Sequence, residues 1–188
     1  EVYGIERGFC GLLDNSMYKM DLRSVGDIIN RGGTILKTAR CLEFKTKEGQ
    51  QKALENIRAN QLDGIVVIGG DGSCAGAQVL TDYGIPAVGV PGTIDNDLAY
   101  TDYTLGFDTA LNTILDAIRK IRDTMTSTDR VSVVEVMGNK CGDLALYSGL
   151  NGGAEIILVP EREWNIEEVC EKLQNGRERG KMASIVVM

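Results

Sequence analysis

Two short apolar runs, Ile65-Val66-Val67-Ile68 and Ala87-Val88-Gly89-Val90, each pass directly into a glycine-rich polar stretch, and the rest of the chain is arranged around them. Continuous runs of this length predict buried parallel strands that deliver loops to the rim of an α/β sheet. Ligands of such folds gather at strand C-terminal ends. Upstream, Glu1-Val2-Tyr3-Gly4-Ile5 reads as a strand that starts abruptly, a first sign of truncation. Residues 24–30 predict a short helix capped by Ser24 and stopped at Arg31-Gly32-Gly33. Residues 47–60 place Ala53, Leu54 and Ile57 on one helical face. Residues 73–83 predict a helix, Gly84-Ile85-Pro86 a turn, and residues 91–106 a long surface loop of the kind that usually carries function. In residues 107–126, Leu111, Ile114, Leu115, Ile118 and Ile121 recur every three or four positions, the strongest amphipathic helix of the chain. Strands at 131–136, 156–159 and 183–187 then alternate with helices from after Lys140 to Leu150 and over 166–176. This alternation predicts βαβ crossovers and an α/β fold, a three-layer αβα sandwich with a mainly parallel sheet.

Length and composition narrow the class. The 188 residues suit one sizeable domain or two small ones. With 43% apolar and 25% charged residues the chain has the balance of a soluble globular protein. No apolar run approaches the roughly 18 residues of a membrane span, and EVYGIERGF lacks the plan of a signal peptide, so a cytoplasmic location without a membrane partner is expected. The five cysteines are widely separated and odd in number, against a disulfide framework. With no histidine, neither a zinc site nor a Ser-His charge system can be built, and general base chemistry falls to Asp or Glu. The net charge of −7 counts against a nucleic-acid partner. A small anion can still be held locally by a few arginines and helix N-termini.

The first loop, Gly69-Gly70-Asp71-Gly72-Ser73, joins a strand to a helix. Its glycines let a phosphate approach the backbone, and the helix N-terminus supplies free N–H groups and a positive dipole end. Asp71 would repel a bare phosphate unless Mg²⁺ bridges the two. Read by itself, the loop serves equally as a plain tight turn with Asp71 in solvent. The Gly70-x-Gly72-x-x-Ala75 spacing matches a dinucleotide fingerprint, but Val88-Gly89-Val90 stand where the acidic ribose ligand should be. Residues 176–182 fail as a P-loop, one residue short and with Met182 in place of Ser or Thr. The second loop, Pro91-Gly92-Thr93-Ile94-Asp95-Asn96-Asp97, is more specific. In an extended segment, Thr93, Asp95 and Asp97 would share one face. One carboxylate could take a proton from a substrate hydroxyl while its neighbour orients it, which suits a phosphoryl acceptor site. The plainer alternative is Asx-turn chemistry in a solvated loop.

Gly-Gly-Asp-Gly-Ser followed some twenty residues later by Pro-Gly-Thr-Ile-Asp-Asn-Asp closely resembles the bacterial-type ATP-dependent 6-phosphofructokinases. The likeness continues through Asn30-Arg31-Gly32-Gly33-Thr34 with Ala39-Arg40, Thr101-Asp102-Tyr103-Thr104 with Gly106-Phe107, Val133-Val134-Glu135-Val136-Met137-Gly138, and Gly152-Gly153-Ala154-Glu155. It implies a two-domain fold, residues 1–125 forming most of an ATP-binding domain and 126–188 opening a fructose 6-phosphate-binding one. It also implies a fragment inactive alone, with part of the ATP wall before Glu1 and much of the sugar pocket after Met188.

Residue by residue, the resemblance makes Asp95 the base for the 1-hydroxyl of fructose 6-phosphate, supported by Thr93 and Asp97. Gly70, Asp71, Gly72, Ser73 and Gly76 would line ATP, with Asp71 on Mg²⁺ and Arg40 and Cys41 beside the phosphates. Arg40 would also meet charge that builds up in transfer; its alternative is a surface ion pair with Glu43. Thr93, Ile94, Asp95, Arg130, Met137, Gly138 and Asn139 would contact the sugar, Arg130 reaching across a subunit boundary in a homotetramer. The family usually has Arg where Asn139 stands, so a cationic contact is lost. Arg122, Gly153, Ala154, Glu155, Arg179 and Lys181 match an effector site for ADP as activator or phosphoenolpyruvate as inhibitor, and Leu22 replaces an arginine usual there. Solvated-face roles remain open for Arg179 and Lys181. Gly72 and Gly92, where pyrophosphate-using relatives carry Asp and Lys, favour ATP. A pyrophosphate-dependent enzyme and a non-catalytic nucleotide-binding subunit are the alternatives.

Overall fold

A computed structural model describes residues 1–188 and divides them into two compact units, one of residues 1–67 with 73–89, the other of 68–72 with 90–188. In the first, β1 (Val2–Ile5) and β2 (Met17–Met20) pair antiparallel, Val2 opposite Met20 and Ile5 opposite Met17. The short helix α1 (Phe9–Leu13) lies between them in the chain. Neither α1 nor β2 is legible from periodicity, because each is too short to complete a pattern. After a 3₁₀ turn at Glu43–Lys45 comes α2 (Lys47–Ala59). Its start is fixed by Thr46, whose hydroxyl accepts the Gly49 N–H at 3.0 Å. Leu12 and Leu13 pack with Phe44, Ala53, Leu54, Ile57 and Leu80 in one core, and the rings of Phe9 and Phe44 stack 4.2 Å apart. Asn56 donates from Nδ2 to the carbonyls of Leu12 and Leu13 at 2.8 and 2.9 Å, tying α2 to the end of α1. Thr46→Ala is expected to cost about 1 kcal/mol, the usual worth of an N-cap, read as a lower urea midpoint at unchanged slope.

The helix expected at 24–30 does not form; the segment is a series of turns. Asp21 accepts the N–H groups of Arg23 and Ser24, both at 2.9 Å, and Asp27 adopts a left-handed φ of 56°. Ile29 is 92% exposed, so no core rewards a helix there.

β3 (Ile65–Gly69), α3 (Asp71–Asp82) and β4 (Ala87–Pro91) follow, β3 pairing with β4. The expectation of fully buried strands fails here. Val66, Ile68 and Val88 are each more than 60% exposed, while Ile65 and Ala87 pack on the first core. An unbroken apolar run says nothing about which of its faces is covered.

The second unit holds α4 (Phe107–Thr128), β5 (Val131–Val134), α5 (Asp143–Gly152), β6 (Ile156–Ile157), α6 (Ile166–Glu178) and β7 (Ser184–Val187). Its strands form a parallel sheet in the order β5-β7-β6, with Val131 opposite Ser184 and Ile156 opposite Val186. Alternation along β7 sends Ile185 and Val187 to a core with Ile118 and Met125 of α4 and Ala145 of α5. Val186 packs on the opposite face, with Ile156 and with Val169 of α6. Helices thus cover both faces, the αβα layering expected of a parallel sheet. The strands are distributed over three small sheets rather than one. No helix is long and apolar enough to cross a membrane.

Candidate phosphoryl-transfer site

The two glycine-rich loops meet within the second unit. A Cβ built on Gly70 would lie 3.4 Å from Cβ of Thr93 and 3.5 Å from its hydroxyl, so the turn rests directly against the start of the acidic loop. Gly92 approaches even more closely, a Cβ there falling 2.8 Å from Cγ2 of Ile68, whereas Gly72 faces open space. A side chain at 92 would have to displace Ile68, while one at 72 would occupy free volume in front of the turn. α3 begins at Asp71 itself, and that exposed carboxylate stands in the first turn, where it also complements the helix dipole.

The acidic loop is not extended. Residues 94 and 95 form a bend and Asn96 takes a left-handed φ of 56°, so simple alternation does not explain how Asp95 and Asp97 come together. The local fold is set by polar contacts instead. The Asp95 N–H donates to the Thr93 hydroxyl at 3.2 Å. Asn139 donates from Nδ2 to Oδ2 of Asp97 at 3.3 Å, and Oδ1 of Asp97 is buried with no partner. Burial pushes the Asp95 carboxyl above its usual range and the charge of Asp97 adds to this, while a hydrogen bond with Thr93 opposes it. A carboxylate destabilised in this way takes up a proton more readily, as a general base requires.

The turn after β5 faces this loop. Gly138 has φ 147°, and Asn139, also left-handed at 56°, is a residue type that accepts that conformation. Met137, Gly138, Asn139, Cys141 and Trp164 help to line a cavity of about 250 Å³. Burial raises the Cys141 thiol, which donates to the Asn96 carbonyl at 3.7 Å. Sequence reasoning passed over Asn96, Cys141 and Asp143. Only the Asp-Asn-Asp spacing hinted at the first, and an acidic residue opening a helix at the last. Arg130 is exposed and lines another cavity, of about 330 Å³, with Lys120 and Thr124.

The remaining expected ATP-side residues belong to the first unit. Arg40 is exposed, and its carbonyl accepts the Cys10 thiol at 3.5 Å. Cys41 packs at the edge of the first core, and Ser73 is half-buried in the first turn of α3. Gly76 is buried, with the ring of Phe9 only 2.5 Å from where a Cβ would sit. Leu22 is 90% exposed.

Most of the expected effector residues gather at the other end of α5. Arg122 donates from Nη2 to the carbonyls of Gly152 and Gly153 at 2.5 and 2.8 Å, satisfying groups the helix leaves unpaired. The Ala154 N–H donates to the Gly149 carbonyl at 2.8 Å. Lys181 pairs with Glu155 at 2.5 Å, and the other Glu155 oxygen accepts the Ile185 N–H. Burial alone would raise the Glu155 carboxyl, but these two hydrogen bonds outweigh it and hold it below its usual value. Arg179 is exposed at the C-cap of α6.

A glycine-rich strand-to-helix turn set against a loop with paired carboxylates gives this α/β chain a polar site at the end of its strands. The phosphofructokinase family model matches residues 1–188, and the chain belongs to that family. It is 63% identical over its full length to an ATP-dependent 6-phosphofructokinase of Clostridioides difficile and 58% identical to one of Clostridium botulinum, covering 59% of each. The chain thus spans less than two thirds of the length of the curated relatives it matches. Among solved structures, phosphofructokinase from Saccharomyces cerevisiae aligns over 99% of this chain and 29% of its own, with a TM-score of 0.84 and 33% identity. A pyrophosphate-dependent phosphofructokinase from Marinobacter aquaeolei aligns over 99% and 51%, with a TM-score of 0.80 and 25% identity.

Proposed function

We propose that the full-length protein is an ATP-dependent 6-phosphofructokinase of glycolysis, transferring the terminal phosphoryl group of ATP to the 1-hydroxyl of fructose 6-phosphate. The observation that carries this reading is the contact of Gly70 with Thr93, which sets an anion-binding turn beside the Asp95–Asp97 pair. Asp95 takes the proton of the 1-hydroxyl as the oxygen attacks. Thr93 and Asp97 hold the acceptor end, and Ile94, Met137, Gly138, Asn139 and Arg130 contact the sugar phosphate.

Gly70 to Ser73, Gly76, Arg40 and Cys41 bind ATP, Arg40 meeting the charge that develops in transfer. Mg²⁺ suits the donor set. No cluster of three acidic, histidine or cysteine side chains exists, and Mg²⁺ is commonly held by one or two carboxylates together with substrate phosphates. Asp71 would hold it, and the unpartnered Oδ1 of Asp97 offers a second hard oxygen ligand. When bound, it neutralises charge on the phosphates. Arg122, Gly153, Ala154, Glu155, Arg179 and Lys181 form an effector site for ADP or phosphoenolpyruvate. A cytoplasmic homotetramer is proposed with this reading, as is the division at residue 125 into ATP-side and sugar-side parts.

Steady-state turnover of fructose 6-phosphate by the full-length protein, with ATP and then with pyrophosphate, tests the proposal. ATP is expected to support turnover and pyrophosphate not, because Gly72 leaves the volume in front of the turn open. Turnover with pyrophosphate alone would establish the pyrophosphate-dependent reading instead. Repeating the assay with ADP and phosphoenolpyruvate reads the effector site.

A further inference from the structure

Asn96 stands between the two carboxylates of the acceptor loop, and all its side-chain hydrogen-bonding capacity is directed into the protein. Nδ2 donates to Oδ2 of Asp143 at 2.7 Å and approaches the Asp102 carbonyl at 3.5 Å, while Oδ1 accepts the Thr104 N–H at 3.0 Å. Its own carbonyl accepts the Cys141 thiol. Asp143 opens α5 directly behind the Met137–Asn139 turn, and Thr104 lies three residues before α4. Gly92 to Gly106 contains no regular element, so its shape depends on such contacts.

We propose that Asn96 is a positioning residue for phosphoryl transfer: clasped between Asp143 and the Thr104 N–H, it fixes the backbone that carries Asp95 and Asp97 in register with the sugar-contacting turn. This rests on the phosphofructokinase reading. Proton transfer needs heavy atoms within about 2.6–3.2 Å, and a misplacement of about 1 Å costs on the order of a hundredfold in rate. A loop without regular structure cannot meet that tolerance unless a side chain holds it. Asparagine suits the position because it accepts the left-handed conformation and carries a donor for Asp143 and an acceptor for Thr104 together.

The test compares Asn96→Asp, Asp143→Asn and the double variant in the full-length protein. Asn96→Asp keeps the acceptor for Thr104 but turns a carboxylate on Asp143. It is expected to lower kcat by roughly 30-fold or more while KM for ATP stays within about threefold, the split expected of lost positioning rather than lost donor binding. In the double variant the carboxamide introduced at position 143 donates to the carboxylate introduced at position 96, restoring the bond in reverse, and kcat is expected to return to within about fivefold of wild type. Wild-type kcat in Asn96→Asp, or a double variant no better than the single, overturns the clasp. If Asn96→Asp does not fold, Asp143→Ala provides the reading: a fall in kcat at unchanged KM for ATP supports the proposal, and an unchanged kcat defeats it. A wild-type enzyme that fails to phosphorylate fructose 6-phosphate from ATP defeats the functional reading itself, an outcome distinct from an active enzyme indifferent to the clasp.

Discussion

Replacing Asp95 by Asn in the full-length protein is expected to lower kcat by roughly 10² to 10⁴, the worth of a positioned general base. The carboxamide is close to isosteric and keeps the N–H bond to Thr93, so the loss reads proton transfer rather than loop structure. A drop of less than about tenfold, only ~1.4 kcal/mol, would remove Asp95 from that role. As the proposed base, Asp95 would also set the acid side of the pH profile. Turnover would then require its ionised form, and burial together with Asp97 raises the pH at which that form is lost. The acid limb of kcat/KM should therefore fall above the ordinary aspartate value of about 3.9. In Asp97→Asn the limb should move toward lower pH, because one cause of the shift is gone while burial remains.

Gly138→Ala is expected to disable the turn proposed to contact the sugar. Its φ of 147° is closed to residues with a side chain, and the new methyl would collide with the carbonyl oxygen of Cys141. That oxygen belongs to the backbone of the turn and cannot swing aside as a side chain would. The Cys141 N–H also donates to the Gly138 carbonyl at 2.9 Å, so relieving the clash disrupts the bond that closes the turn. Conformational strain of this kind costs about 1–3 kcal/mol. The expected result is a lowered thermal midpoint together with a KM for fructose 6-phosphate raised roughly tenfold or more, the equivalent of ~1.4 kcal/mol. A variant with normal KM and midpoint would show that the turn neither contacts the sugar nor needs glycine.

Periodicity located the long elements because each has a buried stripe to report. α4 repeats its apolar positions over many turns, and β7 is apolar because both its faces are covered. The failures share a cause as well. Residues 24–30 carry helix punctuation but no core to pack on, and a side chain on Asp21 captures the backbone before a helix can form. The pair β1 and β2 depends on a cross-strand partner that no local pattern announces. In the candidate site, residue types and order singled out Asp95, Asp97 and the glycine turn, and the structure puts the turn beside their loop. Their geometry did not follow from alternation, since it is set by Asn96 in a left-handed conformation and by Asp143, 47 positions away in the chain. Long-range polar contacts of this kind leave no periodic trace in a single sequence.

α5 is a ten-residue rod, about 15 Å long at the usual helical rise, and both its ends are moored. Asp143 at one end grips the acceptor loop, and Arg122 at the other holds the carbonyls of Gly152 and Gly153. One short helix thus joins the hydrogen bond that holds the 92–106 loop to those that hold the Gly152 and Gly153 carbonyls.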